Sequence, residues 1–177
     1  MKNITIKRIT IDSILLASLI ISAFISIPFP LVSLTLQTLV VFLIILLSKG
    51  IDSIIITSLY AILGTVGLPV FAGFNPGSMA SPTYWFIIAF VVSDIFIFIF
   101  DKVILKNKEK INNTNLIIKS IIFIVTIYVI GLPYAMFILD NEFIAMLLYF
   151  LPYIAIDIVK IFIAIIIYKR LKNILEY

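Results

Sequence analysis

The sequence predicts an all-α integral membrane protein with six transmembrane helices and both termini on the cytoplasmic side. Three observations support this fold class. The 177 residues are 63% hydrophobic and 12% charged, whereas soluble domains carry about 25% charged residues. The apolar residues form six runs near membrane-crossing length. The basic residues collect in alternate connections between these runs. The whole chain, residues 1–177, is predicted to be a single membrane domain.

The six predicted spans follow from hydropathy, since a helix needs about 20 mostly apolar residues to cross the hydrocarbon core. They are residues 11–27, 34–48, 51–66, 83–100, 116–139 and 153–169. No small-residue cleavage site follows the first run, which favours a membrane helix over a signal peptide. The second and third runs are short, and we expect them to tilt little or to be shielded by neighbouring helices.

Pro152 interrupts the last apolar run, residues 143–168. Proline lacks the backbone N–H that a helix interior needs, and its ring clashes with the preceding turn. We therefore expect a short helix or loop over residues 143–151 and a membrane helix that begins at Tyr153.

The basic residues set the predicted orientation. Twelve of the thirteen Lys and Arg residues lie at the two termini, between spans two and three, or in and beside the loop 101–115. The connections 28–33, 67–82 and 140–142 have none. By the positive-inside rule, the termini and the loop 101–115 are cytoplasmic. The outer loop 67–82 is rich in Gly, Pro and Ser, and loops of this length are often functional.

Asp157 and Lys160 are the most informative polar residues, because charged groups inside a membrane are costly and often functional. Their i, i+3 spacing puts them on one face of a helix, which Tyr153 extends. They form either the polar wall of a ligand pocket or an ion pair that holds two helices together. With a helix that starts at Tyr153, Asp157 would lie about 6 Å from its outer end, which suits capture of a solute at the outer mouth.

Two uncharged polar residues are further candidates. Gln37 lies at the outer end of span two, where a buried amide can join helices through hydrogen bonds or contact a ligand. Asn75 lies in the outer loop between Gly73 and Gly77. It can serve a turn or offer a donor and an acceptor to a polar ring.

Two other features concern the packing of the helices. Asp94 lies in the middle of span four, and we favour a structural role for it. Ser18, Ser22 and Ser26 form a series of small residues on span one. Such a series lets helices approach closely, either inside the bundle or at a docking face for another membrane protein.

The composition also argues against several functions. The chain has no cysteine and no histidine, so we expect no disulfide, no metal site and no catalytic residue of the usual kinds. It has no phosphate-binding loop of the G-x-x-x-x-G-K-[ST] type and no hydrolase motif. It has no folded domain with a basic face for nucleic acid. We therefore predict that it is not an enzyme.

Four ordered segments resemble one known family. They are IPFP at 27–30 followed by LTLQTL at 34–39, YAILG at 60–64 followed by GLPVFAG at 67–73, GLPY at 131–134, and LP at 151–152 followed by Asp157 and Lys160. In these segments the chain is similar to the BioY family. The resemblance covers most of the chain, from about residue 27 to residue 160.

The resemblance implies a multi-pass plasma-membrane protein, the biotin-binding S component of an energy-coupling factor (ECF) transporter. Such a component captures biotin outside and releases it inside when coupled to a transmembrane coupling protein and two cytoplasmic ATPases. Biotin is then the transported substrate, and no cofactor is expected. The first helix of the family carries a small-residue surface for the coupling protein, so Ser18, Ser22 and Ser26 become candidate docking residues.

The resemblance also indicates a binding site. The family recognises its solute through the Asp-x-x-Lys of the last helix and through the outer loop, which here correspond to Asp157, Lys160 and Asn75. Phe71, Phe74, Tyr84 and Trp85 are candidate aromatic walls. The candidate substrate-binding residues are therefore Asp157, Lys160, Asn75, Gln37, Tyr153, Phe71 and Tyr84.

The chain departs from the family at Tyr84 and Trp85, where the family usually has glycines, and at Asp94. Because the aromatic pair alters the site, an S component for another vitamin is the first alternative function. A structural membrane subunit without transport activity is the second.

Overall fold

The computed structural model describes residues 6–29, 32–48, 50–74, 81–104 and 112–172. Within these ranges the chain forms six α-helices and one short 3₁₀ turn, Ala72–Phe74. The helices are α1 (Ile6–Phe24), α2 (Gln37–Leu47), α3 (Asp52–Thr65), α4 (Tyr84–Val103), α5 (Asn113–Leu139) and α6 (Phe143–Leu171).

The helices form one bundle around an apolar core, in which α4 packs mainly against α5 and α2 mainly against α6. Leu19, Phe42 and Phe123 are fully buried in this core. The outer surface is apolar as well: Val129 is 65% exposed and Phe162 is 67% exposed. Water would be a poor solvent for a surface of this kind. A bundle that is apolar both inside and outside suits a lipid environment.

The helices differ in length. Among the described helices, α5 and α6 are the two that are long and apolar enough to cross a membrane, whereas α2 and α3 are shorter apolar helices of 11 and 14 residues. The all-helical bundle agrees with the predicted fold class. The six membrane crossings remain a prediction.

The connection between α1 and α2 differs from the prediction. The predicted spans extended to residue 27 and began again at residue 34, but Ser26–Ile27 pairs antiparallel with Leu34–Thr35 as two short strands, β1 and β2. Pro28 accounts for the extended conformation of Ile27, since a residue that precedes proline is driven out of the helical region. Later in this connection, Val32 and Leu34 pack against the apolar core.

The predicted break at Pro152 is wrong. α6 runs without interruption from Phe143 to Leu171 with Pro152 inside it. Proline removes one helical hydrogen bond, and neighbouring helices in a membrane bundle can offset that loss. Asp157 therefore lies about 21 Å along α6 from its first residue, near the middle of the helix. The predicted position close to the outer end of this helix is also wrong.

Candidate binding cavity

A cavity of about 530 Å³ lies inside the bundle. Side chains of α2, α4, α5 and α6 form its walls, and residues 32–35, 71–72 and 81–83 of the two connections line it as well. Six of the seven predicted substrate-binding residues line this one space: Gln37, Phe71, Tyr84, Tyr153, Asp157 and Lys160. The seventh, Asn75, lies outside the described residues, as does the side chain of Phe74.

The charged wall of the cavity comes from α6. Lys160 Nζ donates to Asp157 Oδ1 over 2.7 Å, and each residue is only 8% exposed. Tyr128 of α5 donates its hydroxyl to the other carboxylate oxygen, Asp157 Oδ2, over 2.8 Å. Both carboxylate oxygens therefore have a donor. An ammonium group has three N–H donors, so Lys160 can bond a ligand in addition to Asp157.

Sequence reasoning did not identify Tyr128. One signal could have done so: a tyrosine in the middle of an apolar span needs a hydrogen-bond partner for its hydroxyl. Tyr128 is buried and is fifteen residues into α5. Because the Tyr128 side chain has no formal charge, its presence in an apolar span is less unusual than that of Asp157 or Lys160.

Gln37 belongs to a chain of hydrogen bonds at the cavity wall. Thr35 Oγ1 donates to Gln37 Oε1 over 2.8 Å, and Gln37 Nε2 donates to the Tyr60 hydroxyl over 2.6 Å. Tyr60 in turn donates to the carbonyl of Val70 over 3.1 Å. Gln37 thus joins α2 to α3 and, through Tyr60, to the segment after α3. This geometry supports the helix-joining interpretation while leaving Gln37 at the cavity surface.

Tyr153 holds the connection between α1 and α2 against the bundle. Its hydroxyl donates to the carbonyl of Val32 over 2.7 Å. The ring of Phe29 packs against its ring edge-on, with 5.4 Å between centroids. Tyr153 therefore lines the cavity and also fixes one of the two connections that border it.

Aromatic rings that the sequence did not single out form much of the remaining wall. Phe86 and Phe150 stack with 5.6 Å between centroids, and Phe86 meets Tyr128 edge-on at 5.9 Å. Phe90 also lines the cavity and stacks on Phe123 of the core. A cavity with several aromatic faces and one charged wall suits a ligand with an apolar body and polar ends.

Phe71 lies in the segment after α3 and is pressed closely onto that helix. A Cβ added to Gly64 would lie 2.1 Å from Cζ of Phe71, which is closer than atoms can pack. The Phe71 ring also contacts Tyr60, with 5.2 Å between centroids. Only glycine at position 64 leaves room for this ring to reach its place in the cavity wall.

The aromatic pair that starts α4 is divided between two environments. Tyr84 is buried, lines the cavity, and shares a hydrogen bond of 3.2 Å with Thr65 Oγ1. Trp85 does not line the cavity; it is 39% exposed and packs against Tyr134. Of the two bulky residues, Tyr84 alone therefore alters the shape of the site.

Asp94 lies away from the cavity, in contact with α3. Ser53 Oγ donates to Asp94 Oδ1 over 2.8 Å, and Thr57 Oγ1 donates to Oδ2 over 3.3 Å. These bonds join α3 to α4, as expected for the structural role that we favoured.

The docking interpretation requires the three serines of the first span to share one exposed helical face, and they do not. Ser22 is 3% exposed and donates to the Leu19 carbonyl. Ser26 lies in β1, since α1 ends at Phe24. Ser18 is half-buried and donates to its own helix. A partner surface on α1 would have to use Ser18 and other residues of the exposed face.

Comparison with known proteins places the chain in a family. The family model described as "BioY family" matches residues 1–177. The chain belongs to the BioY family.

In the part of the chain that the structure describes, no group of three or more Asp or Glu residues is placed to hold a metal ion.

Two curated relatives of this BioY chain match it in part. A Lysinibacillus sphaericus protein named "Probable biotin transporter BioY" is 33% identical over 111 residues, which are 62% of this chain and 54% of the relative. "Biotin transporter BioY2" of Lactococcus lactis subsp. cremoris is 39% identical over 69 residues, 38% of each chain. The matched segments thus span about half, or less, of these relatives.

A solved structure shares the fold over nearly the whole length. It is the crystal structure of the S-component for biotin from an ECF-type ABC transporter. The TM-score is 0.85 at 24% identity, and the match covers 98% of this chain and 94% of that one. This BioY chain therefore has the S-component fold.

Proposed function

We propose that this BioY chain is the biotin-binding S component of an ECF transporter, which captures biotin outside the cell and releases it inside. The observation that carries the proposal is the buried Asp157–Lys160 pair in the wall of a cavity of about 530 Å³. Small-molecule sites are typically about 300–1,000 Å³ and combine apolar walls with a few placed polar groups. The names of the relatives and the shared fold support biotin as the ligand.

The chemistry of biotin matches the arrangement of the walls. Its ureido ring has two N–H donors and one carbonyl acceptor, which suit Asp157 of the cavity wall and Asn75, a residue outside the described ranges. Its valerate carboxylate needs a cation, and Lys160 is the cation of the described cavity lining. The apolar thioether ring suits Phe71 and Tyr84, while Gln37 and Tyr153 complete the polar edge. Biotin is substrate here, and the proposal includes no cofactor.

The proposed setting is the plasma membrane, with six spans and cytoplasmic termini. The connections that border the cavity, 28–33 and 67–82, have no basic residue, which favours the outer side for both. The lengths of α5 and α6 and the apolar outer surface support membrane insertion. In this setting biotin enters from the outside, beneath the two connections.

The proposed partners are a transmembrane coupling protein and two cytoplasmic ATPases of an ECF module. The sequence has no phosphate-binding loop of its own, so energy for release has to come from another chain. We place the docking surface on the exposed face of α1, where Ser18 lies beside the exposed Ala17.

A calorimetric titration with biotin tests the proposal on detergent-purified protein. Wild type should bind one biotin, and Asp157→Leu and Lys160→Leu should each abolish binding while size-exclusion profiles stay monodisperse. The matched control is the buried pair Asp101–Lys119, which has the same 2.7 Å contact but does not line the cavity. Changing both of its residues to Leu should leave biotin affinity unchanged.

Two results would count against the function. If folded wild type does not bind biotin but binds another vitamin in a competition panel, the chain is an S component of different specificity. If no small solute binds and the Asp157→Leu/Lys160→Leu double variant is as stable as wild type, the pair has only a structural role.

A further inference from the structure

A second concave feature lies between α5 and α6 on the outside of the bundle, separate from the binding cavity. It is a groove of about 630 Å³ lined by seven residues of α5 and five of α6. It exists because α5 packs mainly against α4, and α6 mainly against α2. Helices α5 and α6 therefore have fewer contacts with each other than with these neighbours. Leu116 and Ile161 form its buried floor, and Ile121 and Phe162 form exposed edges.

The groove is apolar along its length and basic at one end. Nine of its twelve lining residues are aliphatic or aromatic, and the other three are Asn113, Ser120 and Lys169. The Ser120 hydroxyl donates to the Leu116 carbonyl of its own helix over 2.8 Å, so it presents no donor to the groove. Asn113 and Lys169 meet at one end, where Lys169 Nζ donates to Asn113 Oδ1 over 2.9 Å.

No carboxylate among the described residues neutralises the charge at this end. Lys169 has a neutral amide as its partner, and the exposed Arg170 and Lys172 lie one and three residues after it. Within the described ranges, none of these three residues forms a salt bridge with a carboxylate. Basic clusters beside membrane helices attract anionic lipids, with about 1 kcal/mol per basic residue near the surface.

The length of the groove matches one leaflet. Its lining on α5 extends from Asn113 to Val125, which is about 18 Å at 1.5 Å per residue. Half of a hydrocarbon core is about 15 Å. An acyl chain that follows the groove would therefore start near the surface, beside Lys169, and end near the bilayer midplane.

We infer that the α5–α6 groove binds one anionic phospholipid, with an acyl chain along the apolar floor and the phosphate headgroup against Lys169. This lipid belongs to the leaflet at the end of the bundle that carries Lys169, Arg170 and Lys172. The inference does not depend on biotin as the substrate of the cavity.

Native mass spectrometry of the full chain in detergent tests the lipid site, with phosphatidylglycerol and phosphatidylcholine of identical acyl chains as probes. The first phosphatidylglycerol should bind at least fivefold more tightly than the first phosphatidylcholine. Lys169→Gln should weaken phosphatidylglycerol binding about fivefold, the effect of one basic residue. Lys102→Gln, which removes an exposed charge from the last turn of α4, should leave it unchanged.

A second pair of variants tests the apolar part of the groove. Ile124→Trp should fill the groove and weaken binding of both lipids about tenfold. Val129→Trp is its control, since Val129 is exposed on the same helix but does not line the groove.

Equal affinity for the two lipids would overturn the inference. Equal losses in Lys169→Gln and Lys102→Gln would also overturn it, because they would indicate diffuse attraction by surface charge. The same holds if Val129→Trp weakens binding as much as Ile124→Trp. Lys169→Gln changes a surface residue and keeps the test decisive even if a tryptophan variant fails to fold.

Discussion

At the scale of single residues, the charged wall depends on a hydroxyl as much as on the ion pair. Tyr128 donates to Asp157 Oδ2 while Lys160 donates to Oδ1. These two bonds leave the carboxylate little freedom to rotate. A ligand donor that approaches Asp157 therefore meets an acceptor that is already oriented.

Tyr128→Phe should weaken biotin binding by roughly tenfold or more, because a hydrogen bond to a charged group contributes about 1.5–3 kcal/mol. Calorimetric titration measures the change. Tyr134→Phe is the matched control, since Tyr134 packs on Trp85 outside the cavity. Unchanged affinity in Tyr128→Phe would mean that the tyrosine does not orient the carboxylate.

Gly64 sets the position of Phe71 by leaving its ring room against α3. Gly64→Ala should lower the free energy of unfolding by about 1–3 kcal/mol, the usual cost of overpacking, and should also weaken biotin binding. Denaturation in detergent measures the first effect. In the double variant Gly64→Ala/Phe71→Ala the stability loss should be smaller than the sum of the single losses; simple additivity would contradict this contact.

The sequence alone singled out both charged residues that line the cavity but missed several aromatic residues beside them, and each outcome has a physical reason. Asp157 and Lys160 stood out because charges are rare in apolar helices. Tyr128, Phe86 and Phe150 did not, because aromatic residues are common in membrane helices, and only the packing of α4, α5 and α6 around one space brings them to one cavity.

At the scale of elements, the cavity depends on the connections as well as on the helices. The β1–β2 hairpin and the Tyr153–Val32 hydrogen bond hold the first connection at the cavity border. Hydropathy could not predict this arrangement, since a two-residue strand has no periodicity to detect. The continuity of α6 through Pro152 could not be predicted either, because proline is compatible with a kinked helix and with a break.

Tyr153→Phe should release the connection between α1 and α2 without unfolding the bundle. Loss of one hydrogen bond should cost about 1 kcal/mol, and amide hydrogen exchange should become faster over residues 32–36. Exchange measured by mass spectrometry, with Tyr134→Phe as the control, checks this. Equal protection in wild type and Tyr153→Phe would show that the bond does not hold the connection.

The ion pair Asp101–Lys119 joins α4 to α5 in a buried position, and Asp101 Oδ1 has no hydrogen-bond partner among the residues that the structure describes. Lys119→Leu should reduce stability by about 3–5 kcal/mol because it leaves a buried carboxylate unpaired. Changing both Asp101 and Lys119 to Leu should recover most of the lost stability, because no unpaired charge then remains. Thermal unfolding in detergent distinguishes the two variants, and equal melting temperatures would contradict the prediction.

At the scale of the whole molecule, the distribution of charge predicts an orientation that can be measured directly. The chain has no cysteine, so single cysteines can be introduced without background. In intact cells, Ile27→Cys should react with a membrane-impermeant maleimide. Lys102→Cys should react only after permeabilisation. Both positions are exposed in the structure, and the reverse labelling pattern would contradict cytoplasmic termini.

The Asp157–Lys160 pair also has an electrical consequence for the molecule as a whole. Its two charges cancel, so the pair adds no net charge to the empty cavity. The carboxylate of biotin would add one negative charge to the loaded cavity. A membrane potential acts on net charge by about 2.3 kcal/mol per elementary charge per 100 mV. Movement of the loaded cavity across the bilayer should therefore carry one more negative charge, and respond to voltage differently, than return of the empty one.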